Sequence, residues 1–591
     1  MHASFTSFVA ASLATLVLAS AASAQTTDRA SLGVTGAEGT NISYEPALSA
    51  DGRFVVFETS ATNLIPGDSN SNRDILVRDL SLDTTAVISL NTAGSQSNLG
   101  AGNHEPDISG DGRYVVFKSW ATNFGPPADP ATVSDIFLRD RDPDTDGIYD
   151  EANSTTTQIS LDSGDLQPNA GSYTPKISGD GTIVAFGSGA SDLVAAGSAG
   201  ATVFARDLST GLNELVSKNT LGDPVNGTLL DISRDGEHVL YWSNASDIVT
   251  GDTNGFSDLF VYDRAAGTTA RVSVGDDESE GDNWSNLGTI SADGRFVAFY
   301  SKAGLVATDT DFVGDIYLRD RDPDTDGIFD EGNSTTTLMT SNSFGVETMG
   351  ATGSTYAPFV SDDGAYVAFT GGDSSGDCCD LVVEDVNGTF DVFLKEVSTG
   401  ITTRMSVDDE GVEQGFKSWG PSMSEDASIV AFSSWCAFDG VDTNTHEDIY
   451  VRDRSVWSDE GWNMAGTRIF LPSPAKDCVP TLTGSGALTD GSSCAVTLKK
   501  ALPGATSWVI LGYSELSFSP FEGGTLVPAV DLIIGPKFVS SPGSGFGEWT
   551  VPFTWPSGIP SDFEFFLQVW VEDSEGPTGF VSSNGLRGVT P

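Results

Sequence analysis

Ser109-Gly-Asp-Gly-Arg-Tyr-Val-Val-Phe-Lys-Ser119, followed after a gap by Asp135-Ile-Phe-Leu-Arg-Asp140, is the stretch on which the fold turns. Asp-Gly is the favoured pair where a two-residue hairpin turn needs positive φ, so a strand is expected on either side of it. The run Tyr114-Val-Val-Phe117 is apolar at successive positions. A sheet with one wet face would alternate, so both faces of this sheet must be covered. Asp135 to Asp140 reads as a third strand, and a sister segment, Thr268-Thr-Ala-Arg-Val-Ser-Val274, as a fourth. The unit is a four-stranded antiparallel sheet.

Seven copies of the Ser-x-Asp-Gly turn begin at Ser49, Ser109, Ser178, Ser233, Ser291, Ser361 and Ser424, with Asp426-Ala427 in place of Asp-Gly in the last. Their spacings are 60, 69, 55, 58, 70 and 63 residues. Four-stranded sheets of this size, covered on both faces, stack radially as propeller blades. The seventh copy lacks a fourth strand after Arg452-Asp453. However, Thr26-Thr-Asp-Arg-Ala-Ser-Leu-Gly33 matches Thr268-Thr-Ala-Arg-Val-Ser-Val-Gly275, and each ends 16 residues before its next turn serine. An open solenoid has no need of such a match. The fold expected is therefore all-β, a seven-bladed β-propeller over residues 25–455, with the segment Asp28 to Leu32 pairing in the blade of Ser424.

The turn together with the third strand, clearest at Asp135–Asp140, Asp315–Asp320 and Asp448–Asp453, resembles the WD40-like or PD40 repeats of TolB-type propellers. Their signature is this Ser-x-Asp-Gly hairpin followed by Asp-Ile-Tyr-x-x-Asp. The resemblance covers about residues 25 to 455 and implies a propeller in an exported bacterial protein. Propellers of this kind serve many roles, so it implies no single activity.

The flanks carry their own signals. Met1 to Ala24 holds an apolar run from Phe8 to Leu18 and ends in Ala-Ser-Ala before Gln25, the pattern of a secretory signal peptide. The expected location is the periplasm, the cell surface or the exterior. No later stretch has the ~18 apolar residues of a membrane helix, so membrane insertion is not expected. Residues 456–475 read as a linker, and 476–591, rich in Gly, Pro and Ser, as a small C-terminal β-sandwich-like domain. Of five cysteines, Cys478 and Cys494 are expected to pair across a hairpin; Cys436 has Cys378 and Cys379 as alternative partners.

Eighty-three acidic against 29 basic residues give a formal charge of -54. From residue 468 onward there are only 11 acidic and 6 basic residues, so the excess belongs to the propeller. Such a charge repels nucleic acid phosphates, which excludes a nucleic-acid partner.

Two long loops, Asp140-Arg-Asp-Pro-Asp-Thr-Asp-Gly-Ile-Tyr-Asp-Glu151 and Asp320-Arg-Asp-Pro-Asp-Thr-Asp-Gly-Ile-Phe-Asp-Glu331, account for the two longest spacings. Counting from Asp142 or Asp322, aspartates stand at positions 1, 3, 5 and 9 and glycine at 6, as in calcium loops of the EF-hand and thrombospondin type 3 kind. Asn153 and Asn333 replace the glutamate at position 12. The ligand sets expected are Asp142, Asp144, Asp146, Asp150 and Glu151, and Asp322, Asp324, Asp326, Asp330 and Glu331, holding a structural calcium ion. Shorter loops such as Asp68-Ser-Asn70, Asp252-Thr-Asn254 and Asp442-Thr-Asn444 offer fewer oxygens and read as Asx turns.

Catalytic signatures are sparse. Gly372-Asp-Ser-Ser-Gly376 has the spacing of a nucleophile elbow but sits in a blade loop, away from any strand-to-helix turn. His104, His238 and His446 form no recognisable triad. The leading expectation is a non-enzymatic binding propeller for a protein, peptide or glycan. The alternatives are a secreted hydrolase or lyase acting on glycans through paired carboxylates, and a cell-surface structural or adhesion protein.

Overall fold

The computed structural model describes residues 26–454, save short stretches of loop of which 342–357 and 373–380 are the longest, and the backbone of strands between 462 and 589. Residues 1–25, Cys378, Cys379 and Cys478 lie outside the described residues. The described residues contain no helix. Residues 26–454 form seven antiparallel four-stranded sheets, numbered here as blades 1 to 7 by their turn serines. In blade 2 the strands are Asn103–Ile108, Tyr114–Ser119, Asp135–Asp140 and Thr155–Gln158, from the axis outward.

Each Ser-x-Asp-Gly turn is locked by its own side chains. The Ser49 hydroxyl donates to Asp51 at 2.6 Å and accepts the N–H of Phe54 at 3.0 Å. The same two bonds recur at the other six serines. Glycine is needed here twice over. Gly112 has φ +76°, and a Cβ on it would lie 2.2 Å from the Phe54 ring of blade 1. In blade 7 Ala427 takes the position at φ 55°.

The turns are also tied to one another. Backbone N–H groups of Ala50, Gly110, Gly179, Asp235, Ala292, Asp362 and Glu425 donate in turn to carbonyls of the next blade, and Glu425 donates back to Ala50. The seven bonds, 2.8 to 3.3 Å long, form a closed ring around the axis.

A second serine anchors the third strand. The Ser89 hydroxyl donates to Asp74 at 2.7 Å and accepts the Ile75 N–H at 3.2 Å. Ser160, Ser273, Thr340, Ser406 and Ser31 repeat this at Asp135, Asp258, Asp315, Asp391 and Asp448. Blade 3 opens its third strand with Thr202, and Ser217 there donates to the Val225 carbonyl.

The core lies between blades. Phe54, Val56, Ile75 and Val77 of blade 1 pack on Ile108, Val115, Phe117 and Phe137 of blade 2. Each such side chain, fully buried, contributes roughly 1.5–3 kcal/mol. This explains the unalternating second strands: one face packs on the preceding blade and the other on the next.

The ring closes as the repeat demanded. Thr26–Arg29 pairs antiparallel with Asp448–Asp453, Thr26 opposite Asp453 and Arg29 opposite Tyr450. The strand thus begins two residues earlier than the segment expected, and it coincides with Thr268–Arg271, the strand its sequence matches. Ala30 and Ser31 continue the contact through hydrogen bonds to Ile449 and Asp448.

Beyond the propeller, Trp462–Ala465 pairs with Gly585–Val589, which pairs with Glu564–Glu572. Glu564–Glu572 also pairs with Thr506–Gly512, and that strand with Leu532–Phe538. A second sheet joins Thr481–Ser485, Ser493–Ala501 and Gly547–Thr554.

Candidate metal loops and channel

The two long loops join the third and fourth strands of blades 2 and 5, so they lie on the same rim as the Ser-x-Asp-Gly turns. Each is held by an arginine within its own motif. Arg141 pairs with Asp150 at 2.7 Å, donates to the Gly112 carbonyl at 2.5 Å and stacks over Phe54. Arg321 does the same with Asp330, at 2.7 Å, and with the Gly294 carbonyl, at 2.6 Å. Both arginines are buried.

The position-1 aspartates organise the loops. Asp142 accepts the N–H groups of Asp146 at 3.1 Å and Gly147 at 3.0 Å, and Asp322 accepts those of Asp326 and Gly327 at the same distances. These bonds from Gly327 and Asp326 hold the Asp322 carboxyl below its usual range against the opposing effect of desolvation. Ligand oxygens of Asp142, Asp144 and Asp146 come within 4.8 Å of one another, as do those of Asp322, Asp324 and Asp326. Glu151 and Glu331 are exposed. Glu331 feels the triad, because the charges of Asp326, Asp324 and Asp322 raise its carboxyl. Asp150 and Asp330 are turned to their arginines. Three of each set of five therefore converge, one faces the guanidinium, and one stands beside them.

The axial channel holds groups that the sequence did not single out. The innermost strands bulge, so that Glu45, Glu105 and Thr174 adopt φ of 55°, 56° and 47°. The bulges free side chains and N–H groups for bonds between blades. Glu58 accepts the Glu105 N–H at 2.6 Å, and Glu105 accepts the Thr174 N–H at 2.7 Å. Asp107 accepts the Ile177 N–H at 2.9 Å, and Asp231 that of Ile290 at 3.0 Å. Hydroxyls do this elsewhere, Thr289 for Val360 and Ser422 for Leu48. These channel carboxylates are joints between blades.

Charge in the channel is mixed. Lys176 lies 3.9 Å from Asp107, and although burial opposes its charge, Asp107, Asp231, Glu45 and Glu105 raise its ammonium. Burial pushes Asp231 up to about 6. His104 lies 3.2 Å from Glu58, and Lys118 pairs with Glu105. Glu45 faces the channel; the enclosing walls, and then the Glu58 carboxylate to which it is hydrogen-bonded, raise its carboxyl. Trp120, half-buried, meets His104 edge-on at 5.6 Å and Lys118 at 5.2 Å.

The two ends of the channel differ. At the turn rim Arg234 of blade 4 reaches Asp362 of blade 6 at 2.6 Å, bridging over blade 5 inside the ring of seven amide bonds. At the other end, where second strands finish, stand Tyr44, His104, Lys118, Trp120, Tyr173 and Trp242, all half-buried. Ser374 lies outside the described residues. Cys436 is buried, its thiol bonded to the Phe416 carbonyl at 2.9 Å.

No family model matches the chain, and no curated protein matches it. Among solved structures it is similar to TolB from Acinetobacter baumannii, at 14% identity over 62% of this chain and 64% of that one, with a TM-score of 0.32. A post-proline cleaving enzyme from Rickettsia typhi gives 9% identity over 67% and 50%, TM-score 0.37. The tricorn protease gives 10% over 91% and 44%, TM-score 0.23. The chain spans less than two thirds of the length of each of these proteins. What stands on the chain's own strand pairing is its architecture, a β-propeller of seven blades.

Proposed function

We propose that the chain is an exported, non-enzymatic propeller of the TolB-like PD40 kind that binds a protein, peptide or glycan at one mouth of its channel and is stabilised by calcium. The observation that carries this reading is the difference between the channel's ends. The turn rim is bridged by Arg234 and Asp362, whereas the opposite mouth offers half-buried aromatic rings beside charged groups. Aromatic faces with a few fixed polar groups suit sugar rings and peptide side chains alike. The interblade bonds of Glu58, Glu105, Asp107 and Asp231 favour a scaffold over a catalyst, since these carboxylates already have partners.

Calcium belongs at Asp142, Asp144 and Asp146 and at Asp322, Asp324 and Asp326. Three carboxylates at alternate positions match a hard oxygen-seeking cation, with water and Glu151 or Glu331 available to extend the shell. The test is a thermal melt of the full chain in calcium and in EDTA. Calcium is expected to raise the melting temperature, and changing Asp142, Asp144, Asp322 and Asp324 to Ala to abolish the gain. An unchanged melting temperature in the parent protein would sink the calcium reading. A binding screen on glycans and peptides, with Trp120→Ala as the control, tests the mouth.

One observation favours the second reading, a hydrolase or lyase acting on glycans. Burial and then Glu58 raise the Glu45 carboxyl, whereas His104 lowers that of Glu58 against the burial that opposes it, and two carboxyls pushed apart in this way can supply an acid and a base. Turnover of a glycan that Glu45→Gln abolishes would establish it.

A further inference from the structure

Three blades carry the same buried cation. In blade 4, Arg271 from the fourth strand lies 2.8 Å from Glu280, 3.5 Å from Asp258 and 3.6 Å from Asp252. In blade 7, Arg29 lies 3.1 Å from Asp439, 3.3 Å from Asp442 and 3.6 Å from Asp448. In blade 6, Arg404 lies 3.5 Å from Asp391 and pairs with Glu413. The register is the same each time: the arginine stands opposite the residue two after the aspartate that opens the third strand. In blades 4 and 7 the guanidinium neutralises a carboxylate cage to which the short Asp-x-Asn loop contributes Asp252 or Asp442.

Where the arginine is missing, blades 3 and 2 answer for it in other ways. Blade 3 has Leu215 there, but its third strand opens with Thr202, so no carboxylate waits. Blade 2 has Gln158, and Gln167 donates to Asp135 at 2.8 Å. Blade 5 has Leu338, and there the Tyr317 hydroxyl donates to Asp309, as Tyr450 does to Asp442 beside Arg29 in blade 7.

Blade 1 lacks both the arginine and the tyrosine. Val87 holds the arginine position, opposite Leu76, which replaces the tyrosine of blade 5. Asp74 remains, 2% exposed. Its Oδ1 is bonded to Ser89, but its Oδ2 is buried without a hydrogen-bond partner among the described residues. Burial, with the charge of nearby Asp68 adding to it, pushes its carboxyl up to about 6. A carboxylate oxygen shut away without a partner is costly unless a cation meets it. Among the described residues Asp68 accepts amide donors, from Asn70 and Gln96, each at 3.3 Å.

We propose that blade 1 binds a calcium ion between Asp74 and Asp68, at the place where the guanidinium stands in blades 4, 6 and 7. The donors are hard oxygens, which is the calcium preference, and water completes the shell. A divalent ion balances the two carboxylates. The site is independent of the long loops and rests on other residues.

The test is calorimetric titration of calcium into the full chain carrying Asp142→Ala, Asp144→Ala, Asp322→Ala and Asp324→Ala, stripped of metal beforehand. One equivalent of bound calcium is expected to remain. Adding Asp74→Asn should remove it. Adding Val87→Arg should also remove it and raise the melting temperature in EDTA, because the arginine supplies the missing charge. The proposal is overturned if the fourfold variant binds no calcium, or if the remaining equivalent survives Asp74→Asn. Should Val87→Arg fail to fold, the Asp74→Asn titration decides alone. Equal stoichiometry in the parent and the fourfold variant would refute the long-loop sites and leave this one standing.

Discussion

Replacing Ser31 by alanine tests ring closure at a single atom. The Ser31 hydroxyl is fully buried, donates to Asp448 at 2.5 Å and accepts the Ile449 N–H at 3.0 Å. Alanine leaves a buried N–H without a partner, which costs about 1–3 kcal/mol, and removes a bond to a carboxyl group worth up to about 3 kcal/mol. Asp448 keeps Arg29 and Asn444, so the sum falls near 3 kcal/mol. A propeller of roughly 430 residues has an unfolding entropy near 0.9 kcal/mol/K, so the melting temperature should drop by about 3 °C. Ser273→Ala breaks the same two bonds inside blade 4 and is the matched control. Calorimetry gives the shift, and hydrogen exchange gives its location. In Ser31→Ala the amides of Thr26–Arg29 and Asp448–Asp453 should lose protection first, whereas Ser273→Ala should loosen Asp258–Asp263. A Ser31→Ala chain that melts within about 1 °C of the parent, or that exchanges faster in blade 4 as much as in blade 7, refutes the reasoning.

Gly112→Ala should cost about 2–4 kcal/mol, combining the positive φ with a clash against Phe54, whereas Gly147→Ala, at φ +83° with open space around it, should cost only about 1 kcal/mol; denaturation of both variants checks the contrast. Burial pushes Glu447 up to about 7. A carboxyl raised above its unfolded value favours the fold fully below that value, near pH 4.5, and the benefit fades as pH rises through about 7. Melting temperature should therefore fall between pH 5 and 8 (about the window of that titration), and Glu447→Gln should remove part of the fall; a parallel pH profile in the variant would contradict this.

Much of the architecture was legible because it repeats. Asp-Gly turns count the blades, and the likeness of Thr26–Gly33 to Thr268–Gly275 names the strand that closes them. The metal loops were legible only in part. Their alternating aspartates do converge, but Arg141 and Arg321, which sit inside the same motif and claim Asp150 and Asp330, were visible and went unread. The channel joints could not be read at all. Glu58, Glu105, Asp107 and Asp231 occupy positions that vary from blade to blade, in a chain with 83 acidic residues, and only the bulged inner strands give them neighbours. The arginine cages had a faint signal, the recurring Thr-Thr-x-Arg of Thr26–Arg29 and Thr268–Arg271. It stands out only once the register aligns those strands with Thr402–Arg404.

The closing strand sets an order of events during synthesis. Ser31 and its partner Asp448 are 417 residues apart, so the first strand to be made is the last to find its place. Until the seventh blade exists, the chain is a crescent with an uncovered apolar blade face at each end, and such faces seek other apolar surface. A chain cut short before Asp448 is thus no smaller propeller. It is an open arc in which Thr26–Arg29 has lost the strand it pairs with and the two end blades have each lost a neighbour.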